Sequence, residues 1–285
     1  AVSITNNASG GFIHNNGEVI MSGAGAEVGL GSQETVFYKL TSTNFADVRG
    51  NLTCEFWFKA GGSSNWRMAN SSIITLGTTS SSGQVITGTE AAKGIRFTNS
   101  NKTHKFKAAS QLYPWTATDS GAGWNIQGTG HTVQLENGDM QFAFVTDPQA
   151  RGEGGTFQLT GDMEFDAVTV SGGDTLDCTN QRVNFGGYNQ VVNDGTINAT
   201  NALMYLGYFG GTGTFTNDAN TKVVYQNCEG SRGSWRFAQN TSGVSMLNDG
   251  KNHDLAHDTT IGKLIVGETS ATGFGLSTSG NEKDL

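Results

Sequence analysis

Between Gly155 and Asn217 no apolar run lasts more than a few residues before Gly, Asn, Asp or Thr interrupts it, and no helical spacing replaces it. The runs Phe157–Leu159, Met163–Ala167, Val168–Val170, Val191–Ile197 and Leu203–Tyr205 alternate with a period of two. They stop at Gly-Gly, Gly-Asp, Asn-Asp-Gly or Thr-Asn. Strands this short cannot close a hairpin sheet over a large core. Turn signals every 8–12 residues or so fit a coil whose successive turns stack, since each rung then takes both its hydrogen bonds and its buried partners from its neighbours. Gly and Asn suit the corners because tight corners use left-handed backbone conformations. The reading is an all-β chain built of β-solenoid (β-helix) rungs, with Val, Ile, Leu, Phe, Cys178 and Cys228 turned inward.

Composition narrows the alternatives. With 41 Gly but only 2 Pro among 285 residues, neither a collagen-like nor a Pro-rich disordered chain fits. Aromatics at 9% call for a packed interior. Charged residues are 15%, against roughly 25% in ordinary domains, which describes a neutral, hydroxyl-rich surface suited to an extracellular or virion setting. A formal charge of −8 weighs against nucleic acid and against anionic membranes as partners. The local exception, Lys102, His104, Lys105 and Lys107, is read as a solvated strand edge guarded by lysines rather than a phosphate site. Cys54, Cys178 and Cys228 lack metal-ligand spacing and are expected to be reduced core thiols, with a Cys178–Cys228 pair as the lesser alternative. No membrane insertion is expected. The start at Ala1 leaves room for a processed or incomplete N-terminus, and Leu285 is expected either to pack on another subunit or to lead into further chain.

Three segments follow from the patterning: 1–35 as N-terminal solenoid rungs, 36–150 as a β-rich domain with a long loop at 102–130, and 151–285 as a second solenoid domain. The turn-rich stretch Asp147–Gly154 marks the later boundary. In the middle segment Leu52, Cys54, Phe56 and Phe58 are expected on one face, and Thr53, Glu55, Trp57 and Lys59 on the other.

Gly11-Phe12-Ile13-His14-Asn15-Asn16-Gly17-Glu18-Val19, followed by Thr35-Val36-Phe37-Tyr38-Lys39-Leu40, resembles the degenerate β-solenoid repeats of large bacterial surface proteins, including adhesins. Phe157–Asp162 with Val168–Asp177 resembles rungs of the same class and is similar to structural proteins of tailed phages, marine ones in particular. These resemblances imply a particle-surface or cell-surface structural role and bring no catalytic residues with them. Asn51–Ala60 with Ile73–Gly77 looks like the strand pair near the start of concanavalin-like or laminin G-like jelly rolls. That likeness would make 36–150 a β-sandwich (jelly-roll) domain inserted among, or preceding, solenoid rungs.

The chemistry-bearing residues are weighed against plainer roles. Asp162, Glu164 and Asp166 share a strand face as a glycosidase pair could, yet alternation with Met163 and Phe165 is what any half-buried strand shows. Asp174 and Asp177 lack the closely spaced acids and bidentate Glu of a calcium loop, so a solvated face is preferred. His253 and His257 would share a metal only on a helix, and their surroundings read as loop. No catalytic residue, metal site or cofactor is therefore expected. Tyr113, Trp115 and Trp124, in the long loop, are the candidate binding residues, for a glycan or a subunit contact. The leading expectation is a non-enzymatic structural protein of a phage particle, such as a fibre, spike or capsid-decoration subunit on the virion surface. Its partners would be copies of itself, other particle proteins and host-surface glycans. The alternatives are an extracellular bacterial adhesin or glycan-binding module, then a polysaccharide depolymerase.

Overall fold

Parallel pairing is the rule that organises this chain: a strand here finds its hydrogen-bonding partner one turn earlier or later. The computed structural model describes residues 3–7, 12–61, 65–86, 95–118, 124–126, 130–147, 154–185, 190–206, 208–225, 234–237, 241–247, 252–255, 261–266 and 275–278. They form short strands and no helix, stacked as a β-solenoid of about 8 turns. Two compact units divide the chain, Ala1–Met163 and Glu164–Leu285.

In the first unit one stack runs through Ser3–Thr5, Ala26–Leu30, Phe45–Val48, Asn65–Met68, Ile95–Phe97 and Trp124–Ile126, every neighbouring pair parallel. Its inward column is Val28, Val48, Met68 and Phe97, each fully buried. A second stack carries Glu18–Met21, Thr35–Ser42 and Leu52–Ala60, and each rung beyond contributes two strands, beginning with Ser72–Leu76 and Gln84–Ile86. It has two inward columns: Phe37, Cys54, Leu76 and Ala108, then Leu40, Phe58, Val85, Ala117 and Met140. Burying a large aliphatic or aromatic side chain contributes roughly 1.5–3 kcal/mol, so these columns hold the rungs in register as well as in contact. Leu52–Ala60 and Ser72–Leu76, the stretch that looks like a jelly-roll strand pair, are parallel neighbours with Leu52 opposite Ile74. Jelly-roll neighbours are antiparallel, and the sandwich alternative is set aside on that ground.

The second unit repeats the plan. Val168, Val191 and Phe209 form one inward column, Leu176 and Ile197 a second, and Val183, Met204 and Val223 a third. Cys178 is buried beside the second column and unbonded, and Cys54 is likewise free and buried; burial pushes both thiols up from their ordinary range. Cys228 lies outside the described residues.

Corners follow the Asn rule. Asn180 and Asn201 both hold left-handed backbone, at φ 63 and 53, and Asn201 donates its side-chain amide to the Asn180 side-chain oxygen at 2.9 Å. The Asp218 carboxylate one turn further accepts the Asn201 backbone N–H at 3.0 Å, and that bond holds Asp218 below the usual carboxylate range. Asp218 therefore adds stability above the ordinary carboxylate pKa, and the contribution fades as pH falls through its lowered value. Alanine at position 201 would keep the strained backbone and lose the amide bond, so Asn201→Ala is expected to cost about 1–2 kcal/mol in urea unfolding. A midpoint equal to wild type would show that the corner relaxes freely.

Candidate functional site

Each rung of the first unit must turn between its two inward columns in the second stack, and that corner gathers the outward chemistry of the unit. Thr35–Ser42 passes it with two outward residues, Tyr38 and Lys39, between buried Phe37 and Leu40. Leu52–Ala60 uses three, Glu55, Phe56 and Trp57, between buried Cys54 and Phe58. The register records the extra residue: Phe37 lies opposite Cys54, yet Lys39 lies opposite Trp57. Phe56 is consequently 39% exposed, whereas simple alternation expects it inside with its even-numbered neighbours. The next two rungs fill the same place with loops, Gly77–Gly83 and Ala109–Pro114. The rung after that turns through Asn137, which holds φ 53.

Along the early rungs the corner carries stacked rings. His14 stacks on Tyr38 at 5.9 Å and Tyr38 on Phe56 at 5.5 Å, both pairs 18° from parallel, and Trp57 tilts against Phe56 at 5.1 Å. The Lys39 ammonium sits 4.4 Å from the Trp57 ring centre and 5.1 Å from that of Phe56. His14 lies 3.4 Å from Glu55. Rings stacked from one rung to the next cover part of one another's faces. A sugar needs an open face, so this ladder works as a clamp on the corner, with each ring pair contributing about 0.5–1.5 kcal/mol.

The later loops are the accessible part. Thr78 donates its backbone N–H to the Ser81 carbonyl at 2.9 Å, and its hydroxyl lies 2.7 Å from that of Ser81. Asn137 donates its side-chain amide to the Ser110 carbonyl at 3.0 Å, and Tyr113 donates its backbone N–H to the same oxygen at 3.3 Å, so the Ala109–Pro114 loop is braced. Its tip exposes Leu112 at 83% and Tyr113 at 37%.

The three aromatics expected to bind are thus separated. Tyr113 is on the surface. Trp115 is fully buried: its indole N–H donates to the Glu136 carbonyl at 2.9 Å, and its ring lies so close over Gly138 that a β-carbon there would meet it at 2.3 Å. Its ring has no outward face for a glycan, which corrects its placement among the binding candidates. Trp124 lies on the strand Trp124–Ile126, with its side chain outside the described residues.

Other candidates are also relocated. Thr103–Ala108 is an interior strand, paired with Ser72–Leu76 on one side and Thr132–Glu136 on the other, and is not the lysine-guarded edge expected of it. Its Lys105 ion-pairs with Glu136, while His104 is fully buried. Glu164 and Asp166 are exposed on the outward face of Met163–Val170, and Asp162, just before that strand, is exposed as well. Asp174 is buried rather than solvated and, with half-buried Asp177, makes no open acidic face. Among the described residues no group of three or more His, Cys, Asp or Glu side chains is placed to hold a metal ion; His257 lies outside them. A polar groove of about 340 Å³ between Gly29–Glu34, Arg49–Asn51 and Ser71 is built from groups already engaged: Arg49 pairs with Glu27 and Asp47, Asn51 accepts from the Ile73 N–H, and Ser71 from the Thr103 N–H.

The corner itself was not found by sequence reasoning. The available signal was three consecutive bulky residues, Glu55-Phe56-Trp57, opposite Tyr38-Lys39, a run that strict alternation cannot accommodate. Comparison with family models, with curated proteins and with solved structures finds no match to this chain.

Proposed function

We propose that this chain is a structural solenoid module of a surface or particle protein, such as a phage fibre, spike or decoration subunit, which works by being stiff and by holding one decorated corner toward a partner. The observation that carries the reading is the continuity of the inward columns in each unit, which run from rung to rung through buried side chains. Stacks of this kind resist local opening, because unfolding one rung strips buried area and hydrogen bonds from two others. The resemblance of Phe157–Asp177 to phage structural rungs supports the same reading. Sedimentation equilibrium and negative-stain imaging at rising concentration test it: ordered oligomers or filaments are expected, and a persistent monomer that binds no particle protein would remove it.

A second reading is favoured by one specific feature, the exposed Leu112–Tyr113 tip, which offers an apolar contact and a ring with a polar end at the corner loop. On this reading the module contacts host-surface glycans. Tyr113→Ala is expected to abolish retention on immobilised host polysaccharide while leaving the unfolding midpoint within about 0.5 kcal/mol of wild type, as for a surface change. Retention unaltered by the substitution, or none in the wild type, would dismiss it.

A further inference from the structure

Inside the first unit, below the strands that lead to the corner loops, two imidazoles occupy adjacent rungs. His104 lies opposite Ser72 and Val133 in one inward column, and His131 immediately precedes Thr132, whose partner is Thr103. The rings are 5.8 Å apart and 32° from parallel, and both residues are buried. Phe97 flanks both, at 5.1 Å from His104 and 6.4 Å from His131, and Phe157 stands edge-on to Phe97 at 6.4 Å. Nδ1 of His104 lies 3.1 Å from the Ser72 hydroxyl, and its buried Nε2 has no hydrogen-bond partner among the described residues.

We propose that the His104–His131 pair is an acid-release element, packed at neutral pH, whose protonation loosens the rungs of Ser72–Leu76, Thr103–Ala108 and Thr132–Glu136 and so frees the Ala109–Pro114 loop.

The geometry makes protonation costly in three ways. An imidazolium at His104 would place a charged N–H at a buried position without an acceptor. The second imidazole, 5.8 Å away on the adjacent rung, repels it whenever that ring is itself protonated. Lys102, two residues along the chain, is a further cation acting on it. The groups placed against His104 from neighbouring strands are Ser72, Phe97, His131 and Val133, none of which carries negative charge. Burial first, then His131 and Lys102, lower its pKa from 6.5 to about 4. A pKa lowered on folding means that the stabilisation is complete above the unfolded value of 6.5, declines as pH falls from there to about 4, and changes no further below. Over that window the folding equilibrium of these rungs falls by about two orders of magnitude. The release is directional, since Ala108 enters the corner loop directly and Asn137, which braces that loop at Ser110, follows Glu136.

The test is amide hydrogen exchange of the full chain at pH 7 and pH 4.5, corrected for intrinsic rates, with proton NMR titration of the histidine rings. Protection of 72–76, 103–108 and 132–136 is expected to fall about 100-fold at the lower pH while Val183 and Met204 in the second unit keep theirs. The double variant His104→Leu, His131→Leu is expected to retain protection at both. Unchanged wild-type protection at pH 4.5, or loss of protection in a folded double variant equal to that of wild type, would overturn the proposal. Should the double variant not fold, the wild-type titration decides: His104 charging only near pH 4, together with loss of protection, supports it, and His104 titrating near 6.5 in the folded chain refutes it.

Discussion

Trp115→Ala is expected to destabilise the Ala1–Met163 unit by about 3–5 kcal/mol, the usual cost of emptying a buried tryptophan site. Two features place it in the upper part of that range. The ring is fully buried against Phe106, 6.4 Å away, and against the Gly138 backbone, so its removal leaves a cavity walled by main chain that cannot collapse into it. The indole N–H is the donor to the Glu136 carbonyl, which would lose that bond. For a chain of this size the loss corresponds to roughly 10 °C in melting temperature followed by far-UV circular dichroism. Trp115→Phe, which restores volume but not the donor, should recover about half. A surface ring used for sugar stacking would behave otherwise: its alanine variant would melt within about 0.5 kcal/mol of wild type, and that result would return Trp115 to the binding candidates. Loss of glycan retention in Trp115→Ala alone is therefore evidence about packing, whereas the same loss in Tyr113→Ala speaks to contact.

How much of this was legible in the sequence depends on which physical rule each residue obeys. The coil of short strands was legible at Val168–Val170, Val191–Ile197 and Leu203–Tyr205, because a period of two interrupted by Gly and Asn has few other uses. The parallel partners were not, since nothing local in Leu52–Ala60 distinguishes a neighbour one turn away from a hairpin partner; the jelly-roll likeness arose there. The 102–107 segment misled for a related reason. Its lysines do point outward, but whether a strand is an edge is decided by its neighbours, and Thr103–Ala108 has one on each side. His104 reads as one more surface cation until register places it in a column with Ser72 and Val133. Trp115 and Tyr113 sit two residues apart in a stretch that the sequence presents as one aromatic-rich loop, yet one opens a strand and closes the core while the other lies at the loop tip. Loop composition carries no parity, and only the rung that follows, with Gly138 under the indole, decides which way the ring turns.

The same dependence on the next rung makes Gly213→Ala the second large effect, in the Glu164–Leu285 unit. Three corners stack there, at Ser171–Asp174, Asn193–Gly195 and Gly211–Gly213. The Gly213 N–H donates to the Asn193 carbonyl at 2.7 Å, the Thr214 N–H to the Gly195 carbonyl at 2.8 Å, and the Asn193 side-chain amide to the Thr214 carbonyl at 2.8 Å. These bonds draw the backbones together until a β-carbon at 213 would lie 2.3 Å from the Gly195 oxygen and 2.8 Å from its nitrogen. Main chain cannot rotate aside as a flexible side chain can, so the added methyl group must pry the rungs apart and lengthen those hydrogen bonds. An expected cost of about 3 kcal/mol follows, at the upper end for overpacking. Gly172→Ala is the matched control in the same stack: its β-carbon would meet only the Asp194 oxygen, at an ordinary 3.7 Å, and its unfolding midpoint should stay close to wild type. Equal midpoints for the two variants would mean that the corners yield without loss, and that close backbone approach does not hold the rungs of this unit together. A large loss confined to position 213 would show that the Gly and Asn punctuation of the chain sets the spacing of the rungs as well as marking where they turn.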